Sequence, residues 1–235
     1  MNKEAVKRII NKDIKIINKM KINELGIHIH FNEENLLEAK AIIIGPKNTP
    51  YENGLLFFII NFPNDYPFNP PKIHFYSSCP QRMHPNLYVG KSHNNFLGKV
   101  CLSSINTWSG PKWTPAMHIA SILLSIQSLL CENPLHNEPG FENEKGNRNK
   151  FYNISVEYNN FNYNIIKNAF HTPEKFTVFS EIIKKHINEN KNEILNKLEK
   201  LCQMYKTVQK ISVNIYNISL CIDYQNTKKK IIDNI

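Results

Sequence analysis

The chain has 235 residues, of which 41% are hydrophobic and 21% charged, values that are ordinary for a globular protein large enough to bury a core. It contains no run of 18 or more apolar residues, so we expect no membrane-spanning helix. The net charge of +9 comes from lysines spread along the chain without an arginine-rich run, and we expect no nucleic-acid partner.

The cysteines are five, an odd number, and they are scattered through the sequence: Cys79, Cys101, Cys131, Cys202 and Cys221. The amino-terminal residues are charged from the start and lack the apolar segment of a secretory signal. We therefore expect reduced thiols and a cytosolic or nuclear location.

Residues 3–20 carry apolar side chains at helical spacing and predict an amphipathic helix. The opposite face is basic and includes Lys7, Arg8 and Lys12. Two interpretations stay open for this face. It is either a solvated surface or a docking surface for an acidic partner.

Alternating or continuous apolar residues predict four β-strands, at residues 25–31, 36–44, 55–62 and 72–76. The connections between them are short and rich in turn residues, which favours an antiparallel meander. Because the strands form a block with helices before and after it, the predicted class is α+β.

The second half of the chain is predicted to be mainly helical. One apolar face indicates a core helix that begins near Pro115, and residues 151–170 predict another helix. Beyond Thr172-Pro173 the predicted elements are two amphipathic helices, a strand pattern and a solvated tail, at residues 179–187, 194–208, 211–222 and 228–230. We expect this extension to pack back on the preceding residues, with domains at 1–172 and 173–235.

Cys101 lies in a Gly-Lys-Val-Cys-Leu segment, downstream of His84-Pro85-Asn86 and upstream of Trp113-Thr114-Pro115. A lone intracellular cysteine is more often a small buried hydrophobe than a nucleophile. A thiol that follows a nearby side-chain amide and prolines in this order, however, has the ingredients of acyl transfer on sulfur. The order of these motifs favours Cys101 as a nucleophile.

The run GPKNTPYENGLLFFIINFPNDYPFNPPKIHF, followed by HPN and then by Cys-Leu, resembles the ubiquitin-conjugating enzymes over roughly residues 3–170. The segments GKVCL, TWSGP, SIQSLL and HNEPGFE resemble the large Z-type subgroup, which carries a C-terminal extension. This resemblance implies an N-terminal helix, a four-stranded antiparallel meander, an active-site loop and C-terminal helices. Asn53 stands where the family usually has a glycine.

The resemblance implies that Cys101 takes ubiquitin or a ubiquitin-like protein from an activating enzyme as a thioester, without a metal or organic cofactor. A ligase cysteine or a substrate lysine then receives it. Asn86 is expected to stabilise the oxyanion or to shape the loop, and both roles stay open. Glu138, before Pro139, is expected to position or deprotonate the lysine, and the alternative is a solvent-facing carboxylate.

His84 is assigned with Pro85 and Trp113 to the framework of the active-site loop. In thiol hydrolases with a Cys-His-Asn triad, the nucleophile usually precedes its histidine and asparagine, and here that order is reversed. A catalytic base is therefore not expected at His84.

Ligase docking in the family uses the N-terminal helix and two loops, which here carry Phe68 and Pro115-Ala116. The basic face of the helix, with Lys7, Arg8 and Lys12, is expected to meet the activating enzyme. An exposed Phe68 would be an aromatic anchor for a partner, and core packing is the alternative.

Two spacings around Cys101 are longer than is usual in the family. Fifteen positions separate Asn86 from Cys101, and twelve separate Cys101 from Trp113. We expect the extra residues near Tyr88–Asn95 to form a lid or a protruding loop. A non-catalytic scaffold that binds ubiquitin or a ligase is the alternative function, although the presence of Cys101 and the HPN triplet argues against it.

Overall fold

A computed structural model describes residues 3–90 and 96–234. These residues form two compact units. The first unit draws on residues up to 44, 56–80 and 86–130, and the second on residues 45–55, 81–85 and 131 onwards. Within the described ranges, no helix is both long and apolar enough to cross a membrane.

The sheet contains five strands among the described residues, hydrogen-bonded in chain order. They are β1 (Ile27–Phe31), β2 (Glu38–Ile44), β3 (Leu55–Asn61), β4 (Lys72–Tyr76) and β5 (Leu97–Lys99). β1 and β2 are antiparallel, as are β3 with β4 and β4 with β5. The four predicted strands are confirmed. The three-residue β5 was not predicted because an alternation so short carries no readable period.

The N-terminal helix consists of α1 (Lys3–Arg8), a π-helical segment (Ile9–Ile14) and α2 (Lys15–Met20). Its fully buried side chains follow at four-residue spacing: Ala5, Ile9 and Asp13. Ile10 and Met20 belonged to the predicted apolar stripe, yet they are 44% and 41% exposed. The π-helical segment takes more residues per turn than an α-helix, so the buried face departs from the α-helical pattern.

Asp13 is a fully buried carboxylate that joins three segments of the first unit. Its Oδ1 accepts hydrogen bonds from the Tyr66 hydroxyl and from the backbone N–H of Ile119, both at 2.9 Å. Its Oδ2 lies 3.5 Å from Nη1 of Arg8. Burial, reinforced by the Asp13 charge, holds the pKa of Tyr66 well above its usual range, so the phenol remains a hydrogen-bond donor.

The core helix, α3, runs from Ile119 to Leu129, so the predicted start near Pro115 was wrong by four residues. His118 has an extended backbone and is the N-cap, and its Nδ1 accepts from the N–H of Ser121 at 3.1 Å. Most of the predicted apolar face is confirmed as buried: Ile119, Ile122, Leu123, Ile126 and Leu130.

The second unit contains a long helix, a further helix, an antiparallel hairpin and a terminal helix. Their bounds are α4 (Asn147–Asn159) continued by a π-helical segment (Asn160–Lys167) and α5 (Asn168–Phe170), then α6 (Ser180–Met204), β6 (Gln209–Val213), β7 (Ile218–Ile222) and α7 (Tyr224–Ile232). The helix predicted at 151–170 and the strand pattern predicted at 211–222 are confirmed.

The structure corrects two expectations for the extension. Residues 179–187 and 194–208 were predicted as separate helices, but one helix, α6, joins them and ends at Met204, because its buried side chains continue one face across the intervening polar residues: Ile183, Ile187, Ile194, Leu198 and Leu201. Lys228–Lys230 were predicted as a solvated tail; Lys229 and Lys230 are exposed as expected, but all three lie in α7, where Tyr224, Thr227 and Ile231 are buried. Tertiary burial outweighs the weak helix preference of the asparagines here.

Asn53 has φ 61°, the left-handed region, and its N–H donates to the carbonyl of Gly45 at 3.2 Å. Asparagine tolerates this conformation better than most residues with a side chain. The departure from the family's glycine at this position is thereby accommodated.

The extension and residues 131–172 lie in the same unit and share polar contacts. Nζ of Lys197 lies 2.9 Å from the Glu52 carboxylate and 3.0 Å from that of Glu157. Burial lowers the pKa of Lys197, but the two carboxylates outweigh it and hold that pKa above its ordinary value. The expectation of a core domain at 1–172 with an extension at 173–235 packed on it stays a prediction.

Asp13→Asn is expected to lower the free energy of unfolding by about 3 kcal/mol, because it leaves the mostly buried Arg8 guanidinium without its carboxylate. Urea denaturation monitored by tryptophan fluorescence measures the change. Asp65→Asn, an exposed position in the same unit, is the matched control and should shift stability by less than about 0.5 kcal/mol. Equal stability of the two variants would show that the buried charge is not an anchor.

Candidate active site

Cys101 lies in an extended segment directly after β5, paired antiparallel with the residues that follow His84-Pro85. Leu87 and Val100 form a β-bridge, and the N–H of Cys101 donates to the carbonyl of Asn86 at 2.8 Å. The side-chain Nδ2 of Asn86 also donates to the carbonyl of Cys101 at 2.8 Å. Both polar groups of the Cys101 backbone are therefore held by Asn86.

Cys101 and Asn86 are both buried, with 1% and 8% of their surface exposed. The hydrogen bonds show that Asn86 shapes the backbone at Cys101, which is the loop-architecture role. Its role in stabilising an oxyanion stays a prediction.

The longer spacing between Asn86 and Cys101 leaves their pairing intact. The N–H of Tyr88 donates to the carbonyl of Lys99 at 3.0 Å, which closes the base of the extra segment. A Cβ on Gly98 would lie 1.6 Å from the backbone oxygen of Tyr88, so only glycine fits this close approach. Of the segment predicted as a lid or protruding loop, residues 91–95 lie outside the described residues.

The long connection between Cys101 and Trp113 is also closed at its base. The Thr107 hydroxyl accepts from the N–H of Leu102 and donates to the carbonyl of Val100, both at 2.8 Å. Further along, the N–H of Trp113 donates to Oδ1 of Asn106 at 3.0 Å. The Thr107 contacts hold the start of this connection against the extended segment that carries Cys101.

Trp113 packs into the first unit rather than presenting its ring to solvent, with 7% of its surface exposed. Its Nε1–H donates to the carbonyl of Pro67 at 2.7 Å, and its ring lies 5.8 Å from that of Tyr66. This placement accords with the framework role expected from the sequence.

His84 and Pro85 belong to the second unit, where both are buried. The His84 ring lies 6.1 Å from that of Tyr51, and the Tyr51 hydroxyl donates to the carbonyl of Met83 at 2.5 Å. Burial raises the pKa of Tyr51, which keeps this phenol protonated. The guanidinium of Arg82 donates to the carbonyl of Pro85.

Glu138 also belongs to the second unit and is half-buried. Its Oε2 accepts a hydrogen bond from the hydroxyl of Tyr216 in the turn between β6 and β7. Glu138 is therefore more than a solvent-facing loop carboxylate. Tyr216 was not predicted as a site residue, because its partner lies 78 positions away in the sequence and no motif marks the pair.

The N-terminal helix and the loop at Pro115-Ala116 meet within the first unit. Arg8 donates to the carbonyl of Met117 at 2.6 Å, and Lys12 donates to that of Ala116 at 3.2 Å. The side chain of Arg8 is only 11% exposed, so its charge is used mainly inside the unit.

Phe68 and Lys7 are exposed. Phe68 has 76% of its surface in solvent, which excludes the core-packing alternative. Lys7 pairs only with the neighbouring Glu4, at 3.1 Å, among its described ion-pair contacts. Contact of either residue with a partner stays a prediction.

Across the described ranges no cluster of three or more His, Cys, Asp or Glu side chains suits a metal ion.

Asn86→Asp is expected to lower the free energy of unfolding by about 2 kcal/mol, because it replaces the Nδ2 donor with an acceptor facing the buried Cys101 carbonyl. Thermal and urea unfolding measure the loss. Asn64→Asp, an exposed position in the same unit, is the control and should be near neutral. An unchanged stability for Asn86→Asp would remove the architectural role and leave only a role in the reaction.

The chain is similar in sequence to several ubiquitin-conjugating enzymes. The E2 Z ubiquitin-conjugating enzyme of Xenopus tropicalis is 40% identical over 57% of this chain, and that of Homo sapiens is 43% identical over 51%. The chain covers 41% and 32% of those two proteins, less than half of their lengths. Among solved structures, the E2 domain of a Toxoplasma gondii ubiquitin conjugating enzyme is 26% identical, with 65% of this chain and 99% of that chain covered and a TM-score of 0.47.

The sequence profile described as Ubiquitin-conjugating enzyme matches residues 9–161, which is more than half of the chain. The matched range includes Asn86, Cys101 and Glu138. The chain belongs to the ubiquitin-conjugating enzyme family.

Proposed function

We propose that the chain is a transferase that carries ubiquitin or a ubiquitin-like protein as a thioester on Cys101. The observation that carries this proposal is the pairing of Cys101 with Asn86, which fixes the thiol-bearing segment beside the amide that the family's motif supplies. The partners would be an activating enzyme, a ubiquitin ligase and protein substrates, in the cytosol or the nucleus. ATP is consumed by the activating enzyme.

Charging is an exchange of one thioester for another. The Cys101 thiolate attacks the glycyl carbonyl of the modifier, the new C–S bond forms, and the bond to the activating enzyme's sulfur breaks. The departing thiolate takes up the proton that Cys101 gave up. Because the carbonyl enters already activated, the step needs no cofactor in this chain.

Discharge to a lysine forms an amide. The ammonium loses one proton to become the attacking amine and a second as the amide forms, and the C–S bond to Cys101 breaks. One proton ends on the Cys101 sulfur and the other passes to solvent. Asn86 would donate to the oxyanion, a contribution of roughly 10²–10³ in rate, and Glu138 would receive the ammonium and take its first proton.

Docking would use the exposed surface of the first unit. Lys7 and Lys12 lie on the N-terminal helix, and Lys12 also holds the Ala116 carbonyl. Phe68 is the aromatic side chain suited to an interface. Pro115 and Ala116 are exposed beside the same helix.

The burial of Cys101 favours a second candidate, a non-catalytic scaffold that binds ubiquitin or a ligase. A sulfur with 1% of its residue exposed cannot receive a modifier unless the segments around it move. The two candidates differ in whether a covalent adduct forms.

A charging reaction tests the proposal. The protein is mixed with activating enzymes, ATP and ubiquitin or ubiquitin-like modifiers, and gels are run with and without reducing agent. We expect a thiol-sensitive adduct that is lost in Cys101→Ala and kept in Cys221→Ala, an exposed cysteine that serves as the matched control. A folded protein that forms no adduct with any activating enzyme would reject the transferase and leave the scaffold.

A further inference from the structure

The turn of the C-terminal hairpin brings a phenol to Glu138. Tyr216 lies between β6 and β7, and its hydroxyl donates to Oε2 of the Glu138 carboxylate. Both side chains are half-buried, where a hydrogen bond to a charged acceptor is stronger than in water. An ionised carboxylate has about four acceptor positions, so one phenol can fix its orientation and leave it able to bind an ammonium.

Tyr216 also contacts Arg82. The guanidinium carbon lies 4.5 Å from the centre of the Tyr216 ring, within the range of a cation–π contact. Arg82 also donates to the carbonyl of Pro85, in the His84-Pro85-Asn86 triplet. One chain of contacts in the second unit therefore runs from Pro85 through Arg82 and Tyr216 to Glu138.

Tyr152 closes this cluster. Its ring lies 5.9 Å from the Tyr216 ring, and its hydroxyl donates to the backbone carbonyl of Arg82 at 3.0 Å. Arg82 and Tyr216 thus both contact Tyr152, a fully buried residue of α4.

The backbone at Tyr216 is unusual for an aromatic residue. Its φ is 61°, and that of Asn217 is 50°, so two successive residues occupy the left-handed region. A bulky side chain disfavours this conformation, which glycine or asparagine adopts more readily. Strain of this kind persists where the side chain has contacts that depend on it, and Tyr216 contacts Glu138, Arg82 and Tyr152.

We propose that Tyr216 is a positioning residue of the second unit, which orients the Glu138 carboxylate for the incoming lysine. This inference rests on the proposed function of Cys101 and Glu138. It assigns to the extension an effect on aminolysis that is exerted through Glu138. Aminolysis is the step in which the lysine nitrogen replaces the Cys101 sulfur on the glycyl carbonyl.

Tyr216→Phe tests the inference in the full chain, because it removes the hydroxyl and keeps the ring beside Arg82. The charged protein is freed of activating enzyme, and its single-turnover discharge is followed at increasing concentrations of free lysine. A parallel reaction uses a small thiol, which attacks as the thiolate and needs no carboxylate to accept a proton from an ammonium. We expect lysine discharge to slow by roughly tenfold to a hundredfold, with thiol discharge and charging within about twofold of wild type.

The matched control is Tyr205→Phe, which removes a half-buried phenol from the same extension without touching Glu138. It should discharge to lysine at the wild-type rate. Glu138→Gln should slow lysine discharge at least as much as Tyr216→Phe, and the double variant should be no slower than Glu138→Gln alone, because one residue acts through the other.

Three results would overturn the inference. They are lysine discharge by Tyr216→Phe at or above the wild-type rate, equal loss of lysine and thiol discharge, and additive losses in the double variant. In each of these the wild-type protein still charges on Cys101, so the proposed function stands and only the role of Tyr216 is rejected. A wild-type protein that never charges rejects both.

Discussion

A short antiparallel pairing fixes the position of Cys101, and the chemistry proposed for this chain depends on it. Two backbone hydrogen bonds, a β-bridge and the Asn86 side chain hold residues 86–88 against 99–101. The residues between these segments can vary in number without disturbing them, because the entropy of closing a loop rises slowly, by about 0.6 kcal/mol per doubling of its length. The long insertion before Cys101 is therefore compatible with this pairing.

The first unit is organised by a second constraint, the buried charge of Asp13. Burying a carboxylate is costly unless it is paired and hydrogen-bonded, and Asp13 finds these partners in three different segments, through Arg8, Tyr66 and Ile119. A buried and paired carboxylate of this kind contributes more to selecting one packing arrangement of the surrounding segments than to the net stability of the fold. Here it sets the N-terminal helix against the start of α3, the region where family members dock their partners.

The sequence allowed prediction of those features that repeat at a fixed period or occur in a fixed order. The apolar run at 55–62 and the alternations at 25–31 and 211–222 predicted strands, and the order of HPN and GKVCL selected Asn86 and Cys101. The burial of Asp13 could not be predicted, because the buried face of a helix is recognised from apolar residues and a carboxylate is expected on the exposed face. The sequence predicted two helices in place of α6, since the helix preference of individual residues does not include the stabilisation that comes from burial in the folded protein.

Tyr216 illustrates another limit. Its partners Glu138, Arg82 and Tyr152 are distant in the sequence, and the left-handed turn that presents it follows no common turn motif. The alternation at 211–222 located the hairpin but gave no reason to regard its turn as more than a connection.

The near-complete burial of Cys101 also determines how the thiol meets small reagents. Alkylating agents and peroxide reach the sulfur only in the fraction of molecules whose surrounding segments have opened. Reagent protection relative to the exposed Cys221 therefore measures the free energy of that opening, at about 1.4 kcal/mol for each tenfold decrease in rate. The same burial would shield the thiol from irreversible oxidation.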